Sequence, residues 1–324
     1  MIKLNFETNL GIKQFVESCV SHFQKAKDRK TIEGVLENEI NLLMTTKRIS
    51  TIENYRTALR SLLAFTGNNR LFAEIDSDVI DNYQNWLKEK GVGLNTISCY
   101  MRSLRTIYKS SALRKGIKAS DAFRNAFTGN VKTIKRSLTI DDITKIKDLN
   151  LPEGSLLDTT RDLFLFSFYS FGMPFVDVAH LKKSQIEGDW LSYYRRKTGQ
   201  LVKIPIEPCM MQIIHKYYNK ERDYIFPIMT SSDREPANYR SKLTIYNRTL
   251  KDLARIADIN CCITSYVVRH TWASIAFSHN VELSVISKAL GHTNTETTMI
   301  YIREIDDERL KSASRLLLNG IGIQ

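Results

Sequence analysis

Across residues 1–128 apolar residues recur at intervals of three and four, and the breaks between the runs carry Gly, Asn or Lys-Gly. On that period a helix presents one apolar face, whereas a half-buried strand alternates every second residue. The segments FVESCVSHFQKA and IEGVLENEINLLM read as the first two helices. Ser50, with Glu53 three residues on, gives a capping-box start for STIENYRTALRSLLAF. That helix is predicted to stop at Gly67-Asn68-Asn69. Asp76 or Ser77 starts the next, which ends at Lys90-Gly91. Asn95-Thr96 opens a long helix, TISCYMRSLRTIYKSSALRKG. Its core face is read as Ile97, Leu104, Ile107, Tyr108 and Leu113, and a second face carries Arg102, Arg105 and Lys109.

Charge narrows the function. The formal net charge is +12, of which residues 1–136 hold +10. Residues 98–136 contain ten basic side chains (Arg102, Arg105, Lys109, Arg114, Lys115, Lys118, Arg124, Lys132, Lys135, Arg136) and one acid, Asp121. Such a run repels itself unless a polyanion compensates. Nucleic acid is the expected partner, because each Lys or Arg set on a phosphate releases counterions.

The pattern changes at NAFTGNVKTIKRSLTIDD. Gly129-Asn130 breaks the helical run, a basic stretch follows, and Thr139 caps a new helix at Ile140-Asp141-Asp142. A linker is placed at 129–138. Beyond it, RDLFLFSFYSFGM reads as a central apolar helix. DWLSYYRRKTGQLVKIPI reads as a β-hairpin with a Lys-Thr-Gly-Gln turn. Helical patterns then return in MQIIHKYYN, YRSKLTIYNRTLKDLARIA, TSYVVRHTWASIAFS, LSVISKAL and the terminal IDDERLKSASRLLL.

Several classes are disfavoured. Cys19, Cys99, Cys209, Cys261 and Cys262 form no CxxC pair, and the six histidines do not cluster with acids or thiols, so neither a metal site nor a cofactor is expected. No apolar run reaches the roughly 18 residues of a membrane span. The opening MIKLNFETNLGIKQF lacks the apolar core of a signal peptide. A cytoplasmic protein with no membrane partner is expected.

The motifs SYVVRHTWAS and LGHTNTETTMIYI resemble the two C-terminal signatures of the tyrosine site-specific recombinases, the phage integrase family. Arg269, Leu290-Gly291-His292 and Tyr301, nine residues after that histidine, follow the family's order and spacing. YRRKTGQ resembles its β-hairpin lysine, giving Lys197. Residues 50–116 resemble its helical core-binding domain. The resemblance implies Tyr301 as the nucleophile that forms a 3′-phosphotyrosine link, with no metal or ATP needed because the link conserves the energy of the broken bond. It implies Arg269 as a guanidinium fork on the phosphate. Lys197 becomes the acid for the leaving 5′-oxygen, and His292 a group that hydrogen-bonds the phosphate or orients its neighbours. His270 is read as a supporting or packing residue.

Two positions depart from the family. Tyr266 stands where most members carry histidine, and a phenol is a poor base near neutral pH. Pro174, in FGMPFVDVAHL, stands where the first arginine belongs, while Asp177 matches the acidic position. This is similar to a subgroup common in Bacteroidetes in which that arginine is displaced. Arg240 and Arg196 are the leading substitutes, followed by Arg195 and Arg161.

The expected fold is mainly α, a two-domain DNA clamp. Residues 1–128 would form a helical core-binding domain, and 139–324 a mostly helical catalytic domain with a small antiparallel sheet. Arg102, Arg105, Lys109, Arg114, Lys115, Lys132, Lys135 and Arg136 are the expected DNA contacts. The expected function is site-specific recombination of double-stranded DNA by a homotetramer. The alternatives are a catalytically impaired DNA-binding protein on the same scaffold and a relaxing enzyme of the type IB topoisomerase kind.

Overall fold

A computed structural model describes residues 30–116, 121–133, 136–229, 236–299, 314, 315 and 318. The chain divides into two compact units, Met1–Thr133 and Ile134–Gln324.

The first unit is built from α1 (Ile32–Leu43), α2 (Ile49–Thr66), α3 (Ser77–Glu89) and α4 (Leu94–Arg114). Thr31 caps α1 and Asp76 caps α3, each accepting a backbone N–H of the first turn. Ile32, Leu36 and Ile40 of α1 meet Leu59 and Leu62 of α2, Ile80, Tyr83 and Leu87 of α3, and Ile97, Met101, Leu104 and Ile107 of α4. The spacing of these residues made the helices amphipathic, and the bundle buries the apolar stripe of each. One charge enters this core. Glu39 accepts from Ser110 Oγ at 2.6 Å and from Arg114 Nε at 3.0 Å, tying α1 to the end of α4.

Two helix starts differ from the sequence reading. Helix α2 begins at Ile49 with Arg48 at the cap position, so Ser50 lies inside the first turn. Helix α4 begins at Leu94, after Gly93. Leu113 is not a core residue but 83% exposed. It lies nine residues, about two and a half turns, from Leu104, hence on the opposite side of the helix. Ala112 takes the inward position.

The second unit contains α5 (Ile140–Lys147), α6 (Leu156–Tyr169), α7 (Phe175–Ala179), β1 (Ile186–Glu187), β2 (Trp190–Tyr194), β3 (Leu201–Pro205), α8 (Pro208–Lys216), α9 (Pro236–Ile256), α10 (Val267–Ser278), α11 (Leu283–Ala289) and α12 (Thr295–Met299). Thr139 and Asp142 cap α5 reciprocally. Leu163, Phe164, Leu165 and Phe166 are all buried, which puts every side of α6 in the core. It packs against α5, α7, α8, α9 and α10. The antiparallel sheet has the order β1-β2-β3, with Tyr193 opposite Val202 and Tyr194 opposite Leu201. Leu191 and Tyr193 point inward, while Trp190 and Tyr194 are exposed. Among the described residues no helix is long and apolar enough to cross a membrane.

The first predicted helix, residues 15–26, and almost all of the terminal helix from Ile305 lie outside the described residues, as do Lys118, Lys135 and Tyr301.

Candidate active site

Arg269 occupies the first turn of α10 and is 1% exposed, the largest of the fully buried side chains. A guanidinium is too basic to shed its proton on burial, so donors must find acceptors instead. Its Nη1 donates to Gly172 O at 3.1 Å, and its Nη2 to Leu290 O and, at 3.1 Å, to His292 Nε2. The α6–α7 loop makes this possible by turning sharply. Phe171 and Gly172 both have positive φ, 60° and 66°. A Cβ on Gly172 would stand 2.8 Å from Arg269 Cα. Two residues later Pro174 is the N-cap of α7 and brings no donor side chain.

A second buried arginine lies close by. Arg195 follows β2 and is 5% exposed. Its Nη1 donates to Gly291 O at 2.8 Å. A Cβ on Gly291, whose φ is +62°, would stand 2.7 Å from Arg195 Cδ and from Val202 Cγ2. Among the described residues Arg195 Nε and Asp177 Oδ2 are buried with no hydrogen-bond partner. The other oxygen, Asp177 Oδ1, accepts the backbone N–H of Arg196 at 2.9 Å. Burial raises the pKa of Asp177, and the Arg196 N–H with the charges of Arg195, Arg269 and Arg196 offsets part of that rise.

His292 hydrogen-bonds Arg269 and lies within the field of Arg195. Burial pushes its pKa down to about 4, reinforced by the charges of Arg269, Arg195 and Lys197, so the ring is neutral at pH 7. Arg269 can only donate, so His292 Nε2 is the acceptor and the ring proton sits on Nδ1. That nitrogen lies 2.9 Å from Thr298 Oγ1.

The remaining sequence candidates are distributed as follows. Lys197 and Arg196 are exposed on the hairpin turn. Tyr266 is at the N-cap position of α10, 44% exposed, with its ring 5.2 Å from that of the buried His270. Arg240 is exposed near the start of α9. Arg161 is not at this site. It is held by Asp158, by Asp162 at 3.0 Å and by Leu149 O at 2.9 Å, since its i−3 and i+1 neighbours are acids. In the first unit Arg102, Arg105, Lys109, Lys115 and Lys132 are exposed, as is Arg136 in the second. Arg114 is committed to Glu39.

The sequence ranks Arg196 above Arg195 and does not single out Thr298 or Gly172. A signal for the first was present. Leu191, Tyr193 and Arg195 fall on one face of a period-two strand, and that face is the buried one. Nothing local marked Thr298.

The phage integrase family model matches residues 137–308, and a phage integrase SAM-like domain model matches 31–132. The chain is 27% identical to the tyrosine recombinase XerA of Pyrococcus furiosus over 241 residues, which cover 73% of this chain and 80% of the relative. It is 24% identical to a tyrosine recombinase of Pseudothermotoga lettingae over 302 residues, 89% of this chain and all of that one. A lambda integrase dimer bound to a COC′ core site is similar in fold, with a TM-score of 0.64 at 16% identity, covering 84% of this chain and 95% of that chain. The Tn1549 transposon integrase in complex with a circular intermediate DNA gives 0.64 at 13% identity, covering 89% and 99%. This chain therefore belongs to the phage integrase family and is a tyrosine recombinase, an enzyme of site-specific DNA recombination that cleaves and rejoins DNA.

Proposed function

We propose that Arg195 takes the place of the arginine missing at Pro174, and that Arg269 and Arg195 together grip the scissile phosphate. The observation that carries this reading is the convergence of two buried guanidiniums on consecutive residues, Leu290–His292, with Arg195 Nε left without a partner among the described residues. As the phosphorane forms, charge gathers on the two non-bridging oxygens, and fixed donors in a water-poor site stabilise it with little reorganisation. Tyr301, its phenol proton released to solvent, attacks phosphorus, the bond to the 5′-oxygen breaks, and Lys197 on the exposed turn gives that oxygen a proton. The 3′-phosphotyrosine link retains the bond's energy for rejoining. Tyr266 donates to a phosphate oxygen in place of the family's histidine.

On this reading the partner is double-stranded DNA. Residues 1–128 act as the core-binding domain, 129–138 as the basic linker and 139–324 as the catalytic domain. Arg102, Arg105 and Lys109 meet backbone phosphates. A lambda integrase tetramer bound to a Holliday junction is similar in fold, with a TM-score of 0.65 at 16% identity, and this supports a homotetramer as the working state. The protein works in the cytoplasm.

The test is a nicked suicide duplex carrying the protein's recombination site, sought as inverted repeats or an attachment site beside the gene. Wild type should form a covalent adduct that Tyr301→Phe abolishes. Arg195→Ala should reduce adduct formation about 10³-fold or more with DNA binding retained, the scale of a lost transition-state arginine. Arg240→Ala, Arg196→Ala and Arg161→Ala should have much smaller effects. Adduct formation by Arg195→Ala at the wild-type rate would refute its assignment.

A further inference from the structure

Residues 290–292 hold both buried arginines through three successive groups. Leu290 O and His292 Nε2 accept from Arg269, and Gly291 O accepts from Arg195. The chain then turns through α12 and comes back, so that the fully buried Thr298 sets its hydroxyl 2.9 Å from His292 Nδ1. Thr298 is three residues before Tyr301.

An unbroken line of hydrogen bonds results: Thr298 Oγ1, His292, Arg269 Nη2. Its polarity is fixed by chemistry. Arginine has no acceptor, so His292 receives at Nε2 and donates from Nδ1. The threonine hydroxyl is the acceptor that makes this tautomer favourable. Without it the Nδ1–H loses this acceptor, which favours turning the ring or moving its proton to Nε2, where it would confront the Arg269 N–H.

We propose that Thr298 is a positioning residue of the cleavage reaction. It holds His292 in the Nδ1–H tautomer, and through it fixes the Arg269 guanidinium. It also ties the segment leading to Tyr301 to that same guanidinium. This rests on the roles proposed above for Tyr301 and Arg269.

Two substitutions test it in the full chain. Thr298→Val keeps the shape and removes the acceptor, and Thr298→Ser keeps the acceptor. Two-bond proton–nitrogen NMR of ¹⁵N-histidine protein, with His292 assigned by its absence in His292→Gln, should show the Nδ1–H form in wild type and Thr298→Ser and its loss in Thr298→Val. Single-turnover adduct formation on the suicide duplex at saturating DNA should fall about 10- to 100-fold in Thr298→Val, the scale of a lost hydrogen bond to a positioned group. It should stay within about threefold in Thr298→Ser. An Nε2–H tautomer in wild type overturns the proposal, as does Thr298→Val cleavage at the wild-type rate. Should Thr298→Val fail to fold, the wild-type and Thr298→Ser spectra still decide. A wild-type protein that forms no adduct would defeat the reading of Tyr301, and the NMR arm would still judge Thr298 separately.

Discussion

His292 has a folded-state pKa of about 4 against the usual 6.5, because burial and three neighbouring cations penalise its charged form. Between those values an unfolded chain binds the proton and the native one does not, so stability falls as pH drops from about 6.5 towards 4. His292→Gln should flatten this part of the profile, leaving a smaller decline in melting temperature over that range. Scanning calorimetry at half-unit pH steps checks it, and unchanged steepness would contradict the low pKa. The glycines beneath the arginines give a second test. Gly291→Ala must fit a methyl group against Arg195 Cδ and Val202 Cγ2 at a positive φ. A loss of about 1–3 kcal/mol in denaturant unfolding is expected, the usual cost of such backbone strain. Cleavage should drop more than stability does, because Arg195 must shift.

At the scale of elements, helices α6 and α8 are joined by a compact ionic network. Lys216 Nζ lies 2.7 Å from Asp158 Oδ2 and 2.6 Å from Asp162 Oδ2, Arg161 binds both acids, and Tyr217 donates to Asp162 at 2.9 Å. Burial alone would raise the pKa of Asp158, but hydrogen bonds from Lys216 and the Gly154 N–H, with the charges of Lys216 and Arg161, hold it below its usual value. A depressed carboxylate stabilises the fold above its unfolded pKa and ceases to do so as pH falls through the folded one. Asp158→Ala should therefore cost about 3–5 kcal/mol at pH 7, the scale of breaking a buried pair, and progressively less as pH falls below the usual carboxylate value. Urea unfolding over a descending pH series measures this. The network also explains why Arg161 cannot serve the active site: two acids one turn or less away already use it.

For the whole molecule, the two compact units have separate apolar cores, one of helices alone and one of helices with a small sheet. The exposed basic face of α4 belongs to the first and the buried arginine pair to the second. Binding and chemistry should thus be separable by mutation. Replacing Arg102, Arg105 or Lys109 by Ala should lower DNA affinity about equally on any sequence. Each replacement should reduce the slope of log K against log salt by about 0.9. Cleavage at saturating DNA should be nearly unchanged. Arg195→Ala should do the reverse, and a salt titration paired with single-turnover cleavage distinguishes them.

The sequence by itself determined most of the described helices, the cap at Thr139, the hairpin and the order of the Arg269, Leu-Gly-His and Tyr301 motifs. These are local matters of period and capping, or marks that survive as spacing along the chain. It misjudged Leu113 because a list of apolar residues is not a face until the helical angle is followed over two turns and more. Only the tertiary structure decided which arginine stands beside Arg269. Arg195, Arg196, Arg240 and Arg161 are equally basic in sequence. What separates them is burial, the carbonyl of Gly291, and acids on a neighbouring turn. Likewise Thr298 acquires its role only when the chain folds back on His292, because a hydrogen bond needs two groups within about 3 Å and a sequence carries no distances.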